Sequence, residues 1–221
     1  MTSGSRVTVD DRARRVTTTL KSQAVVLGGA LTAFWAVFVV NTLLGGSLLV
    51  FGVIPRTIVG LRGILFAPFL HANLNHIVAN SIPFLVLGWM VMLRDQRHFI
   101  PVTVAAMVGS GLTAWLLGAP GSVHIGASGV IFGYLGFLML TGWYSRSFGS
   151  ILLSLVVTLV WGSLVFGMMP GAPGISWQAH IGGFLGGVLA ARGFRGQRPN
   201  AVTDLVRRDA EATHKLRTKR T

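Results

Sequence analysis

The 221-residue sequence has no cysteine, which excludes disulfides, thiolate catalysis and cysteine-ligated metals. Acidic residues are nearly as scarce, with six Asp and Glu against 19 Lys and Arg. They are Asp10, Asp11, Asp95, Asp204, Asp209 and Glu211, so no carboxylate lies between Asp95 and Asp204. Chemistry that needs paired carboxylates at membrane depth, such as an aspartyl protease or an acidic proton relay, has nothing to work with there. Charged residues of both signs make up 11% of the chain, about half the share in a soluble domain. With 52% hydrophobic residues, the composition is that of a membrane protein.

Apolar segments account for most of the chain. They run from about Val25 to Leu44, His76 to Leu93, Phe99 to Leu117, Ser128 to Tyr144, Gly149 to Met168 and Trp177 to Ala191. Most approach the roughly 20 residues that a spanning helix needs. The expected fold class is an all-α polytopic membrane protein with six transmembrane helices. A long mixed stretch from Gly45 to Asn75 separates the first two and is expected to form a structured outer loop. The first segment is too long for a signal-peptide core and is expected to be retained.

The charge pattern orients these spans. Six spans put both ends on one side, and that side collects residues 1–23, the Arg94–Arg97 turn, Arg146 and residues 193–221. Only Arg56 and Arg62 fall opposite. A basic excess of this kind marks the cytoplasmic face. Residues 1–23 and 193–221 are therefore expected to be cytosolic tails, the second disordered, flanking a membrane domain at 24–192. Nine basic residues lie between Arg192 and Arg220. Their expected partner is anionic lipid at the bilayer surface, not nucleic acid, because no nucleic-acid recognition motif accompanies them.

Polar residues at membrane depth are functional candidates by default. His76 and Asn80 share one face of the second span, four residues apart. Gly126-Ala127-Ser128-Gly129 opens the fourth span, and Ala179-His180 lies in the sixth. Asn41, in the first span, has nothing around it to suggest a role. From Ser128 to Tyr144 is about 25 Å of helix, short of a hydrocarbon core of roughly 30 Å. The loop from Gly118 to Ala127 is therefore expected to dip, leaving Ser128 at the floor of a water-filled pocket. Gly129 and Gly133 form one small-xxx-small pair, Gly183 and Gly187 another, and such faces let helices pack backbone to backbone. If the two faces meet, Ser128 and His180 come within reach.

A serine hydroxyl needs an adjacent base, and no carboxylate is at hand to complete a triad. A serine hydrolase in this chain is most simply a Ser128–His180 dyad. His76, Asn80 and the backbone N–H of Ser128 suit an oxyanion hole. His71 and His76 lack the helical His-Glu-x-x-His pattern of a zinc protease, and no metal or cofactor is expected. Each residue also has an ordinary structural role: Ser128 as a helix cap, His180 as a packed ring, His76 and Asn80 as hydrogen-bonding stitches.

His71-(x4)-His76-(x3)-Asn80, Gly126-Ala127-Ser128-Gly129 and Ala179-His180-(x2)-Gly183-(x3)-Gly187 resemble the three signature blocks of rhomboid intramembrane proteases, in order and on the second, fourth and sixth spans. The resemblance implies that Ser128 attacks a peptide bond of a single-span membrane protein, with His180 as base and His76, Asn80 and the Ser128 amide binding the oxyanion. It implies supporting roles for His71, which would help hold the first outer loop, and for Gly126, Ala127, Gly129, Phe132 and Gly183. The chain departs from the family at Phe132, where many members carry a Tyr stacked on the catalytic histidine. It also departs at Leu61-Arg62, where a Trp-Arg pair is frequent. Two other classes share the architecture: a catalytically silent rhomboid-like protein that binds transmembrane clients, and a small transporter. The segment from Gly167 to Gln178 is expected to act as a mobile cap over the site.

Overall fold

The computed structural model describes residues 9–171 and 174–195. They form an all-helical bundle with no named strand among them; the only extended pairing is an isolated antiparallel bridge between Val53 and His124. The helices are α1 (Val9–Leu43), α2 (Gly63–Phe66), α3 (Leu74–Arg94), α4 (Phe99–Leu117), α5 (Ser128–Ser145), α6 (Phe148–Trp161) and α7 (Trp177–Gly193). Segments in α1, α3, the Gln96–Leu117 stretch and the Phe148–Met168 stretch are long and apolar enough to cross a membrane.

Local chemistry explains most boundaries. Asn73 caps α3 by accepting from the His76 amide, satisfying one of the helix's orphan donors. Ser147 caps α6 in the same way. Arg146 ends α5 in the left-handed region at φ 50°. One boundary adds to the expectation. Residues 1–23 are expected to be a cytosolic tail ahead of the first span, and α1 begins within them, at Val9. No Pro or Gly interrupts Val9–Val25, and Ala, Arg, Leu and Lys there are good helix formers. The polar segment therefore continues the helix instead of ending it. The tail from residue 196 onward lies outside the described residues, as does Ala172-Pro173 of the expected cap.

The helices pack around α5, which is buried from Gly129 to Leu138. Glycine sets the approach of α7. A Cβ on Gly183 would strike the Gly129 carbonyl, and one on Gly187 would strike the Gly133 carbonyl. On its other flank α7 meets α4, where Gly109 and Gly182 abut and Gly186 touches Ala105. The α4–α5–α7 unit is thus seamed backbone to backbone, the contact that transmembrane helices use in place of a hydrophobic drive. α1 closes one side through Leu27 and Phe34, and α6 leaves Ile151, Leu155, Leu159 and Val160 exposed.

The Gly45–Asn73 stretch is well structured, built from 3-10 turns and α2. Asn41 turns out to anchor its start: it is buried and its side-chain oxygen accepts from the Leu48 amide at 3.1 Å. Arg62 donates to the Val50 carbonyl and lies 4.4 Å above the Phe51 ring. His124, in the loop before α5, pairs with Val53 through two backbone hydrogen bonds of 2.9 Å.

Candidate active site

Ser128 is the first residue of α5, so its amide has no acceptor within its own helix. Gly126, two residues earlier, has φ +109°, and a Cβ there would press on the His76 ring. Only glycine satisfies both conditions. The Gly126 amide donates to the Ala67 carbonyl at 2.8 Å, joining this turn to the long loop. Gly129 is also tightly placed, because a Cβ would collide with the Ser110 side chain.

The close seam between α5 and α7 brings His180 to Ser128. His180 Nε2 lies 2.8 Å from Ser128 Oγ, and His180 Nδ1 lies 2.8 Å from the Gly167 carbonyl oxygen. A carbonyl can only accept, so Nδ1 carries the proton and Nε2 is left as the acceptor for the serine hydroxyl. His180 is buried and Ser128 half-buried. Phe132 lies flat on the imidazole, with centroids 4.1 Å apart and planes 12° apart. Tyr134 faces elsewhere, its hydroxyl 2.8 Å from Thr103 Oγ1.

An open cleft of about 370 Å³ reaches this pair and is also lined by His76 and Asn80. Asn80 Nδ2 donates to the His76 carbonyl at 2.8 Å, which leaves its second N–H unused by that bond. His71 is fully buried beneath them, its ring centroid 5.0 Å from that of His76 and 5.8 Å from that of Phe34. Burial, and then the neighbouring His76, push His71 down to about 4, so its ring is neutral at physiological pH.

The structure thus assembles Ser128, His180, His76, Asn80, Gly126, Ala127, Gly129, Phe132 and Gly183 around one cleft or its immediate support. His71 packs behind it. Two features escaped the sequence. Gly167, at the start of the expected cap, holds Nδ1 of His180 through its carbonyl, and a backbone oxygen leaves no trace in residue type. Ser163 and Ser176 also line the cleft, each being one unremarkable serine among many.

A family model described as the Rhomboid domain matches residues 59–197. Over 199 residues, 85% of this chain and 83% of the relative, the sequence is 39% identical to an uncharacterized protein of Mycobacterium tuberculosis. An uncharacterized protein of Mycobacterium leprae is 43% identical over 139 residues, 59% of this chain and 55% of that protein. The RHOMBOID-like protein 1 of Arabidopsis thaliana is 30% identical over 129 residues, 55% of this chain and 31% of that protein.

Proposed function

This chain belongs to the rhomboid family, and we propose that it is an intramembrane serine endopeptidase that cleaves single-span membrane proteins through Ser128 and His180. The observation that carries this reading is the hydrogen-bonded series from the Gly167 carbonyl through His180 to Ser128 Oγ, 2.8 Å at each step. In a chain without a nearby carboxylate, that carbonyl does the orienting work of a third triad member.

His180 Nε2 accepts the hydroxyl proton as Ser128 Oγ attacks the substrate carbonyl carbon. The oxyanion that forms is received by the Ser128 amide, the free N–H of Asn80 and the His76 ring. His180 then passes its proton to the leaving amine as the C–N bond breaks, leaving an acyl ester on Ser128. Water, deprotonated by the same nitrogen, hydrolyses the ester and restores the hydroxyl. While His180 is protonated, the flat face of Phe132 stabilises the imidazolium, as does the Gly167 carbonyl.

The fold supplies the setting for this chemistry. We infer six spans, with α5 and α7 as the inner two, both ends cytoplasmic and the cleft opening to the outer face. Residues 24–192 form the membrane domain. The basic tails on either side lie against anionic lipid. Neither cofactor nor metal enters the scheme.

The test is cleavage of labelled transmembrane substrates by the full chain in detergent. Ser128→Ala and His180→Ala should each lower the rate by about 10³-fold or more, with unchanged thermal stability. Cleavage that persists in either variant would overturn the dyad. Silence of the wild type towards a broad substrate panel would favour client binding without hydrolysis.

A further inference from the structure

His124 lies outside the family's signature blocks but inside a directed hydrogen-bond chain. Its Nε2 is 3.0 Å from Ser122 Oγ, and its Nδ1 is 2.6 Å from Ser176 Oγ. Ser122 donates its only proton to the Ala119 carbonyl at 2.6 Å. Its oxygen is therefore the acceptor from His124, and Nε2 is the protonated nitrogen. Nδ1 is then the acceptor, and Ser176 the donor. Burial keeps the ring below the usual imidazole range, so the neutral form that this pattern requires is the favoured one.

Ser176 stands at the N-cap of α7, a position at which serine ordinarily caps its own helix. Here its hydroxyl makes no cap bond and turns to His124 instead. The Ser176 carbonyl accepts from the His180 amide at 3.1 Å, so the residue gripped by His124 also holds the base. His124 is in turn fixed by its backbone pairing with Val53 and sits four residues before Ser128. Gly118 makes room for the ring, since a Cβ there would strike Nε2.

We propose that His124 is a positioning residue: through Ser176 it fixes the first turn of α7 relative to the loop that carries Ser128, and so sets the alignment of His180 with the nucleophile. The proposal rests on the hydrolase reading above.

A fluorophosphonate probe separates the two, since it reports Ser128 reactivity without a transmembrane substrate. Wild type should label and Ser128→Ala should not. His124→Leu and Ser176→Ala should each label about tenfold to a hundredfold more slowly, as expected for a reacting group moved by an ångström or less. The double variant should be no slower than the slower single one, because both break the same link. His124→Asn places an amide oxygen where Nδ1 stood and should recover most of the rate, which a merely space-filling role would not give. With a transmembrane substrate, the loss should fall on kcat and leave KM in place. Labelling of His124→Leu and Ser176→Ala at the wild-type rate would overturn the positioning role alone. So would an Asn variant as slow as Leu. A wild type that fails to label would overturn the hydrolase reading and this proposal with it.

Discussion

Phe132 shows what one side chain contributes to this dyad. The near-parallel stack on His180 holds the imidazole plane by dispersion and offers a negative ring face to the cation that the proposed mechanism forms there. It has no hydroxyl, so among the described residues the polar groups hydrogen-bonded to the His180 ring are the Gly167 carbonyl and the Ser128 hydroxyl. Aromatic pairs of this kind are worth about 0.5–1.5 kcal/mol, so Phe132→Ala should reduce kcat by about two- to tenfold. Phe132→Tyr should stay near wild type, since the stack is kept. Steady-state kinetics on one transmembrane substrate measure both, and a Tyr variant as impaired as Ala would remove the stack from the account.

At the scale of elements, the glycines divide into two populations. Gly187 presses on the Gly133 carbonyl, whereas Gly28 on α1 has nothing within 4 Å of its Cβ position. Gly187→Ala should destabilise by about 1–3 kcal/mol or more, because a backbone carbonyl cannot yield as a side chain can. Gly28→Ala should be neutral or stabilise by up to about 1 kcal/mol, through helix propensity. Thermal unfolding in detergent distinguishes them, and equal effects would mean that the seam does not govern stability. The sequence made these elements legible to differing degrees. α4 and α5 were readable because Arg94–Arg97 and Gly118–Gly121 mark sharp changes of polarity. The start of α1 was not, since a change from charged to apolar residues says nothing about where a helix of good helix formers begins. The Ser128–His180 juxtaposition was readable because polar side chains stand out against an apolar background. The Gly167 carbonyl was not, and neither was the His124–Ser176 link, which joins two loops 52 residues apart.

For the whole molecule, the absence of cysteine becomes an experimental convenience. Single cysteines at Asp10, Ile58 and Gly149 would each be the only thiol in the chain. With six spans and cytoplasmic ends, an impermeant maleimide added to intact cells should label Ile58→Cys alone. Asp10→Cys and Gly149→Cys should react only after permeabilisation. Labelling of Gly149→Cys on intact cells would invert or renumber the spans.

The attachment of α6 has a mechanical corollary. In its first half, Ser154 bridges the α5 backbone, accepting from the Gly142 amide at 2.8 Å and donating to the Leu138 carbonyl at 2.7 Å, while Arg94 donates to Ser150. At the other end, Trp161 and, in the 3-10 turn that follows α6, Leu164, Val165 and Met168 rest on the core through apolar contacts, and the Gly167 carbonyl lies 2.8 Å from His180 Nδ1. Hydrogen bonds are directional where apolar contacts are not, so a sideways shift of the second end relative to α5 would reach His180 as a change in the direction of its Nδ1 hydrogen bond.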